Sequence, residues 1–361
     1  MPGTSVAATG PTLLTHLPEN ERSPSLRMQQ KLSCRVDMSN SQESPPNFYA
    51  VSALDRLWHK RSDEQWLAAI LDRPSTRYVP VWRSKNLVTD EQTPHLAELS
   101  SADLQTLGPI IESLVLLGEK AGKTYIAVEL LSNGSNPPAE LLNLGRLCDL
   151  KKIGPLLESE EAALLAYARA ITFWHSRNRY CGVCGSATQS IAAGHIRVCS
   201  HEHCKQERFP RTDPAIIVLI TAEERCLLGR QPAWPDRMYS TIAGFVEPGE
   251  SLEEAVAREA MEETGVQVDS VHYHSSQPWP FPSSIMLGFT AAAAMQQIKL
   301  ADQELEAAHW FTREQIEAAL REKRLRLPTP ISIAYRLIED WFDSGQSGRL
   351  KHILSNLTPG K

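Results

Sequence analysis

The stretch GFVEPGESLEEAVAREAMEETGV, residues 244–266, predicts a loop followed by a single helix. Ser251 and Glu254 have the spacing of a capping box, in which each side chain accepts a hydrogen bond from the other residue's backbone N–H. A helix is therefore expected to begin at Leu252. Gly265 readily adopts the left-handed conformation that ends helices, so the helix is expected to stop just before it.

The expected helix carries Glu259, Glu262 and Glu263 on one face, because residues at i, i+3 and i+4 are neighbours on a helix surface. Such like charges repel one another by about 0.2–0.5 kcal/mol per pair. A hard divalent cation such as Mg²⁺ or Mn²⁺ would remove this repulsion and take the carboxylates as oxygen ligands. For three glutamates alone, a solvated acidic face is the better interpretation. The residues around them therefore have to distinguish such a face from a metal site.

The wider pattern runs from Gly244 to Val266 and reads G-x5-E-x7-R-E, an apolar residue, any residue, E-E, any residue, G and an apolar residue. This pattern resembles the Nudix box at every defined position. The resemblance implies a hydrolase that cleaves a nucleoside diphosphate linked to another group. It also implies an α/β/α sandwich with a mixed sheet, which we expect to span residues 211–345.

The resemblance also implies a set of metal ligands. Two or three Mg²⁺ or Mn²⁺ ions would be bound by Glu259, Glu262, Glu263, the backbone carbonyl of Ala243 and, from a shorter match at residues 303–311, Glu304. Glu250 and Arg258 are expected to pair and to hold the loop against the helix. Of the three catalytic candidates on the helix, Glu263 is expected to orient or deprotonate the attacking water, or to act mainly as a ligand. Either role needs the same carboxylate in the same place.

A second motif, CGVCGSATQSIAAGHIRVCSHEHC at residues 181–204, contains the cysteines Cys181, Cys184, Cys199 and Cys204. Two such cysteine pairs suit one tetrahedral Zn²⁺ ion per chain. Because four thiolates leave no open coordination position, this zinc would be structural, and its binding would contribute on the order of 10 kcal/mol to local folding. His201 or His203 could replace one cysteine as a ligand.

A third motif, SQPWPFPSS at residues 276–284, alternates three prolines with Trp279 and Phe281. The prolines exclude a helix and disfavour a central strand. The motif matches a signature of the NADH pyrophosphatase branch of Nudix hydrolases, which also carries a four-cysteine zinc ribbon directly before its Nudix domain. Aromatic rings stack on flat bases with about 1–3 kcal/mol each. The alternative is that both rings pack into the core.

This second resemblance implies a pocket for a dinucleotide. Phe245, inside the box, is expected to stack on a base, and Ala334, in the shorter match AYRLIED, is expected to line the pocket. Phe209 stands where some relatives have tyrosine and keeps a stacking face. The remaining substrate-binding candidates all come from the third motif: Gln277, Pro278, Trp279, Pro280, Phe281, Pro282, Ser283 and Ser284.

The implied reaction is hydrolysis of the pyrophosphate bond of NADH or NAD⁺, which yields AMP and nicotinamide mononucleotide. The same cleavage on NAD-capped RNA would remove the cap from the 5′ end. Homodimer formation is expected from the family alone. Two alternatives stay open: a Nudix hydrolase of another substrate, such as ADP-ribose or a dinucleoside polyphosphate, and a zinc-ribbon regulator that senses a nucleotide with an inactive Nudix fold. The complete glutamate set argues against the second alternative.

The whole chain is expected to be an α+β protein of several domains. We expect a disordered terminus at 1–46, a small α+β domain at 47–159, a connecting helix at 160–178, the zinc ribbon at 179–210, the Nudix domain at 211–345 and a C-terminal tail at 346–361. At the end of the connecting helix, Trp174 and His175 are expected to be core residues. GEKAGKT at 118–124 resembles a phosphate-binding P-loop, but it has three residues between its glycines instead of four, so a turn is expected.

Composition narrows the class of protein. The net charge of −6 gives no support to a general binder of nucleic acid or membrane surfaces. No apolar run approaches the roughly 20 residues needed to span a bilayer. An odd total of seven cysteines with one tight cluster indicates a metal site in a reducing compartment rather than a disulfide framework, so a cytoplasmic location is expected.

Overall fold

The structure is a computed structural model that describes residues 46–50, 53–131, 136–300, 304–345 and 348–357. These ranges contain three sheets, which follow one another along the chain. The predicted disordered terminus lies, apart from residue 46, outside the described residues. Within the described ranges, no helix is both long enough and apolar enough to cross a bilayer.

The first sheet consists of β1 (Thr76–Trp82), β2 (Lys85–Val88), β3 (Ile111–Lys120), β4 (Lys123–Leu130) and β5 (Arg146–Cys148), in the spatial order β3-β4-β1-β2-β5. The helices around it are α1 (Glu64–Leu71), α2 (Ser101–Leu107), α3 (Ala139–Leu142) and α4 (Leu150–Ile153). Along β1, Val79 and Val81 face one apolar cluster whereas Tyr78 and Trp82 face another, because side chains alternate along a strand. The first sheet is therefore buried on both faces.

The GEKAGKT stretch forms the turn between β3 and β4. Lys120 pairs with Lys123, and Ala121 and Gly122 between them have φ angles of 50° and 76°. Two successive positive φ angles are typical of a tight two-residue hairpin turn. The prediction of a turn instead of a P-loop is confirmed.

Helix α5 (Ser159–Arg177) connects the first sheet to the second. Its Leu165 and Ile171 belong to an apolar cluster of the first sheet. Trp174 and His175 are 5% and 0% exposed, so the prediction that they are core residues is confirmed. The His175 ring donates to the backbone carbonyl of Gly194 at 2.7 Å, which ties the end of α5 to the next segment.

The second sheet is small and consists of β6 (Thr188–Ile191), β7 (Ile196–Cys199) and β8 (Glu207–Arg208). The four cysteines of the second motif converge beside it, with their Sγ atoms all within 4.8 Å of one another. The Sγ atoms of Cys181 and Cys204 are 3.8 Å apart, and those of Cys184 and Cys199 are 3.4 Å apart. Zinc–sulfur bonds of about 2.3 Å in a tetrahedron place sulfur atoms about 3.8 Å apart. The cluster therefore fits a Zn²⁺ ion.

The third sheet consists of β9 (Asp213–Ala222), β10 (Arg225–Arg230), β11 (Ile242–Phe245), β12 (Ser270–Trp279), β13 (Ser284–Ala292) and β14 (Ala307–Thr312). Its spatial order is β12-β13-β9-β10-β14, and β11 pairs with β9. The helices of this domain are α6 (Leu252–Thr264), α7 (Arg313–Arg321), α8 (Ile333–Asp343) and α9 (Leu350–Leu357). Strands β9 and β13 are parallel and the other pairs are antiparallel, so the sheet is mixed as predicted.

The third sheet lies between two helical layers. Ile216 and Val218 of β9 pack in the cluster that contains Val256 of α6. Ile217 of β9 packs in the opposite cluster, with Leu337 of α8. The predicted α/β/α sandwich is confirmed. The segment expected to be a tail, residues 346–361, contains α9, and its residues Leu350 and Ile353 are buried in the α8 cluster, so this part of the segment belongs to the domain.

The first and third sheets share one topology. Each begins with a hairpin, β1–β2 or β9–β10, and each adds a later hairpin, β3–β4 or β12–β13, whose second strand runs parallel to the first strand of the sheet. The final strand, β5 or β14, then pairs antiparallel with the second strand of the sheet. The two domains are therefore structural repeats, which the sequence analysis did not predict.

We predict that Cys199→Ser removes bound zinc and lowers the midpoint of thermal unfolding by more than about 5 °C, because zinc binding contributes on the order of 10 kcal/mol to folding in such sites. Zinc content and thermal unfolding should be measured together. Cys148→Ser is the matched control, since Cys148 is buried outside the cluster with its Sγ 3.7 Å from Glu91 Oε1. A variant with serine at 199 that keeps a full equivalent of zinc would contradict the assignment.

Candidate active site

Helix α6 begins and ends where the sequence predicted. The Ser251 hydroxyl accepts from the backbone N–H of Glu254 at 3.2 Å, and the Glu254 carboxylate accepts from the backbone N–H of Ser251 at 2.7 Å. Gly265 ends the helix with a φ angle of 68°. The expected capping box and the glycine stop are both confirmed, so local sequence determines the direction in which the three glutamates project.

Arg258 is the centre of a polar network in this loop and helix. Its guanidinium donates to both oxygens of Glu250, at 2.7 and 3.0 Å, which confirms the predicted pair. The same group donates to Glu259 at 2.8 Å, to Glu262 at 3.0 Å and to the backbone carbonyl of Phe245 at 2.9 Å. Hydrogen bonds from Arg258 are the main reason why the pKa of Glu250 falls to about 2, so Glu250 stays ionised at neutral pH.

The carboxylate of Glu259 occupies space that only a glycine at position 244 leaves free. A Cβ atom added to Gly244 would lie 1.8 Å from Glu259 Oε1. Burial raises the pKa of Glu259, and the charges of Glu262 and Glu304 raise it further, against the opposing effect of Arg258. A buried carboxyl group with excess negative charge around it suits a hard divalent cation. These residues therefore fit the implied Mg²⁺ or Mn²⁺.

The glutamates form an open set instead of a closed cage. Glu263 is only 2% exposed, whereas the side chain of Glu262 is 54% exposed. Across the described ranges, the cysteine cluster is the one group of three or more His, Cys, Asp or Glu residues whose ligand atoms all lie within 4.8 Å of one another. An open carboxylate set is typical of Mg²⁺ sites, because this ion keeps several waters and takes further ligands from substrate phosphates.

A cavity of about 330 Å³ lies beside Glu263. Ala243 of β11, Gln277 and Trp279 of β12 and Ala334 of α8 also line it. We call it the catalytic cavity, because it joins the acidic face to the third motif. It brings together residues that are far apart in the sequence.

The third motif is the end of an edge strand followed by a turn. Residues 276–279 complete β12, which lies at the edge of the third sheet, so the prediction that the motif is not a central strand is confirmed. The rings of Trp279 and Phe281 pack edge to face, with centroids 5.0 Å apart. Tyr49 of the N-terminal domain lies 6.3 Å from Trp279 and 5.9 Å from Phe281. Both rings thus pack against the first domain, and Trp279 also lines the catalytic cavity.

Gln277 is fully buried, and its amide is occupied by the protein itself. It donates to the backbone carbonyls of Phe48 and Ile331, at 2.9 and 2.7 Å, and accepts from the backbone N–H of Ile333 at 2.8 Å. With these three bonds, Gln277 ties β12 both to the N-terminal segment and to the start of α8. Its amide positions the cavity wall instead of offering free groups to a substrate.

Asn47 also holds strand β12 in place. Its amide donates to the Ser275 hydroxyl at 2.8 Å and to the backbone carbonyl of Ser276 at 2.9 Å. Together with Phe48 and Tyr49, it forms a short segment that lies against the third motif. The role of this segment was not predicted, because no local pattern at residues 47–49 indicates a contact with residues 275–281.

Three family models match consecutive parts of the chain: an NADH pyrophosphatase-like rudimentary NUDIX domain at residues 75–174, an NADH pyrophosphatase zinc ribbon domain at 176–209 and a NUDIX domain at 211–329. The NAD-capped RNA hydrolase NUDT12 of Pongo abelii is 33% identical over 354 residues, which cover 84% of this chain and 75% of the relative. The chain belongs to the Nudix hydrolase family. Within the family it falls in the NADH pyrophosphatase branch, whose zinc ribbon and N-terminal domain it shares.

Two further relatives of this Nudix hydrolase match shorter stretches. Nudix hydrolase 19, chloroplastic, of Arabidopsis thaliana is 41% identical over 249 residues, covering 63% of this chain and 56% of the relative. The NAD-capped RNA hydrolase NudC of Mycobacterium bovis is 42% identical over 203 residues, covering 54% of this chain and 64% of the relative. The rudimentary Nudix match accounts for the topology shared by the first and third sheets. The repeat has no local signal in the sequence, because residues 47–159 contain no Nudix box.

Several predicted substrate residues lie outside the catalytic cavity. Phe245 is two residues along β11 from Ala243, and its ring is 62% exposed. Phe209 lines a second cavity, next to the zinc ribbon. Ser283 donates to Asp213 at 2.6 Å. The other members of the third motif that do not line the catalytic cavity are Pro278, Pro280, Phe281, Pro282 and Ser284.

The catalytic cavity also contains polar residues that the Nudix box does not predict. Gln231, Ser240 and Thr241 line it, and Gln231 donates to Glu304 at 3.2 Å. The buried hydroxyl of Thr241 has no hydrogen-bond partner within the described part of the chain. A buried polar atom without a partner at a cavity wall is suited to bind a polar group of a ligand. No sequence pattern distinguishes these three residues from other strand and loop residues.

We predict that Gly244→Ala lowers Mn²⁺ affinity and the rate of NADH hydrolysis by at least about tenfold, equivalent to about 1.4 kcal/mol, because the new methyl group displaces the Glu259 carboxylate. Calorimetric Mn²⁺ titration and steady-state kinetics would measure both effects. Gly108→Ala is the matched control, since a Cβ there meets no atom within 4 Å. Unchanged Mn²⁺ binding by the variant at 244 would remove Glu259 from the ligand set.

We predict that Asn47→Ala and Tyr49→Ala each raise KM for NADH several-fold and change kcat little, because both residues support the strand that carries Trp279 but lie away from the glutamates. Steady-state kinetics with each variant separates the two constants. Asn143→Ala serves as the control, since Asn143 is exposed in the same domain. A loss confined to kcat would mean that these residues act on the acidic face instead.

Proposed function

We propose that this protein hydrolyses the pyrophosphate bond of NADH and NAD⁺, giving AMP and reduced or oxidised nicotinamide mononucleotide. We further propose that it performs the same cleavage at the 5′ end of NAD-capped RNA. The single observation that carries the proposal is the catalytic cavity, which is lined at once by Glu263 of the Nudix box and by Trp279 of the third motif. A dinucleotide needs both features, because its reactive pyrophosphate is joined to flat bases.

The wall formed by Trp279 supplies the contact to a base. Trp279 is only partly buried and is held from behind by Tyr49 and Phe281, so its position is fixed before a ligand binds. Ile217, Met286 and Leu305 add apolar surface to the cavity. Because this aromatic wall is already ordered, less side-chain entropy is lost when a ligand binds. Stacking of a ring on a base contributes about 1–3 kcal/mol to the binding free energy. Phe245, with its exposed ring near Ala243, is the proposed second stacking surface.

The acidic wall holds the reacting group. We propose that Glu259, Glu262, Glu263, Glu304 and the Ala243 carbonyl bind Mg²⁺ or Mn²⁺. When bound, these ions supply charge neutralisation of the pyrophosphate and a water of lowered pKa. Arg258 keeps two of the glutamates in place through hydrogen bonds of 2.8 and 3.0 Å, to Glu259 and Glu262. Glu263 is the proposed residue that orients or deprotonates the attacking water, because it alone of the three helix glutamates lines the catalytic cavity.

Activity on capped RNA requires one end of the cavity to be open. Glu262 and the Phe245 ring, which border the acidic face, are both exposed, so a chain attached at the adenosine side could leave there. The relatives from Pongo abelii and Mycobacterium bovis are both called NAD-capped RNA hydrolases, which supports this second activity. We also propose, on the family resemblance alone, that the protein acts as a homodimer.

The test is hydrolysis of NADH, NAD⁺, ADP-ribose and an NAD-capped RNA with Mg²⁺ or Mn²⁺, by the unmodified chain and by Glu263→Gln. We expect AMP and nicotinamide mononucleotide from the unmodified chain and a loss of at least about 100-fold in Glu263→Gln, a size typical of removing a general base. Glu253→Gln is the matched control, because Glu253 is exposed on the same helix.

The outcomes separate the alternatives. Faster turnover of ADP-ribose than of NADH would mean that the third motif does not select a dinucleotide. Tight NADH binding without turnover of any compound would favour the nucleotide-sensing regulator. Full activity of Glu263→Gln would remove this residue from the catalytic set while leaving the substrate assignment intact.

A further inference from the structure

A second cavity of about 280 Å³ lies where the N-terminal domain, helix α5 and the zinc ribbon meet. The N-terminal domain contributes Arg56, Trp58 and Arg61, and α5 contributes Tyr167. The zinc ribbon and the segment after it contribute His195 and Phe209. We call it the arginine cavity. None of its lining residues belongs to the catalytic cavity.

The two arginines of this cavity have no acidic partner. Across the described residues, no carboxylate oxygen lies within 4.0 Å of either guanidinium, whereas several other arginines in the same ranges are paired with carboxylates. Arg61 donates to the backbone carbonyl of Arg56 at 3.2 Å, but its buried Nε atom has no hydrogen-bond partner among the described residues. Arg56 stacks over the Tyr167 ring, 4.2 Å from the centroid. Two neighbouring positive charges are thus held in place without a counter-charge from the described part of the chain.

The surroundings of Arg61 make its positive charge unfavourable unless an anion binds. Burial lowers the pKa of Arg61; Tyr167 opposes this effect, and the nearby charge of Arg56 adds to it. The buried ring of His195 adds no further positive charge, because its Nε2 donates to the Leu116 carbonyl at 2.7 Å and burial lowers its pKa to about 3. Burying a charged group is costly unless it is paired. A bound anion would remove this cost.

Aromatic side chains also belong to the wall of this cavity, and two backbone positions in or adjacent to its lining segments are left-handed. Trp58 is 47% exposed, an unusual exposure for so large an apolar side chain, and Phe209 lines the same cavity. Leu57, between Arg56 and Trp58, adopts a left-handed conformation with φ 47°, and Ala192 on the zinc ribbon has φ 51°. Such conformations cost about 1–3 kcal/mol in residues other than glycine and cluster at ligand sites. Rings beside paired guanidiniums are suited to a flat base attached to a phosphate.

We propose that the arginine cavity is a second nucleotide-binding site, with the phosphate on Arg56 and Arg61 and the base against Trp58 and Phe209. Its volume is near the lower end of small-molecule sites, about 300 Å³, which suits a mononucleotide unit instead of a whole dinucleotide. The unit is either a free nucleotide, such as an AMP product, or one nucleotide of an RNA chain. This proposal goes beyond hydrolysis and stands without it.

The test is calorimetric titration of the full chain with AMP, with an uncapped 5′-phosphorylated oligoribonucleotide and with inorganic phosphate, without added divalent metal. We expect the double variant Arg56→Gln/Arg61→Gln to lose one equivalent of bound nucleotide, or to bind it at least tenfold more weakly. Trp279→Ala, altered in the catalytic cavity, should keep that equivalent. Arg73→Gln is the matched control, because Arg73 is an exposed arginine of the same domain outside the cavity.

Each outcome decides the proposal. Loss of AMP binding in the double variant supports a free nucleotide, and loss of oligoribonucleotide binding alone supports a nucleotide within RNA. Unchanged titrations overturn the proposal, and phosphate binding as tight as AMP binding overturns the nucleotide assignment. Arg56→Gln alone keeps the test valid if the double variant unfolds, since Arg56 is exposed. NADH hydrolysis by the Arg56→Gln/Arg61→Gln variant should be unchanged, and its absence in the unmodified chain would count against the proposed function only.

Discussion

The bidentate pair between Arg258 and Glu250 is the constraint on which the acidic site depends. A guanidinium has several N–H groups in a fixed plane, so once two of them bind Glu250, the directions of the others are set. Those others reach Glu259, Glu262 and the carbonyl of Phe245, which joins the loop to the helix. One arginine does not neutralise all the carboxylates around it. The remaining negative charge is what makes the face suitable for divalent cations.

The N-terminal domain supports the catalytic domain by direct contact. It keeps the strand order of a Nudix sheet but has no Nudix box, so it carries no comparable acidic face. Its contribution is contact: Asn47, Phe48 and Tyr49 hold β12 by hydrogen bonds and ring packing. A proline-rich edge strand forms fewer ladder hydrogen bonds than a central strand, so support from another domain fixes a wall that would otherwise be poorly ordered.

The acidic face and the arginine cavity illustrate one electrostatic rule with opposite signs. Glu259 is buried near other carboxylates, and burial raises its pKa, whereas Arg61 is buried near another guanidinium, and burial lowers its pKa. In each case the protein holds a charge that its own residues compensate only in part. Partly buried, like-charged groups are unfavourable unless a ligand of the opposite charge completes the site. The zinc ribbon differs, because its four cysteines alone form a set of the size that the metal needs.

The sequence by itself determined the features that depend on near neighbours: the capping box and glycine stop of α6, the Arg258–Glu250 pair, the cysteine cluster, the turn at Ala121–Gly122 and, through the Nudix box, the α/β/α fold. These are set by spacing over a few residues or by a motif of high information content. Only the tertiary structure decided which residues meet across the chain. In the fold, Trp279 and Ala334 line the same cavity as Glu263, whereas Phe209 lines a separate cavity. The amide of Gln277 is hydrogen-bonded to backbone groups, and the strand order of the third sheet repeats that of the first. The physical reason is that side-chain contacts between distant strands and helices follow from packing of whole layers, which no local periodicity encodes.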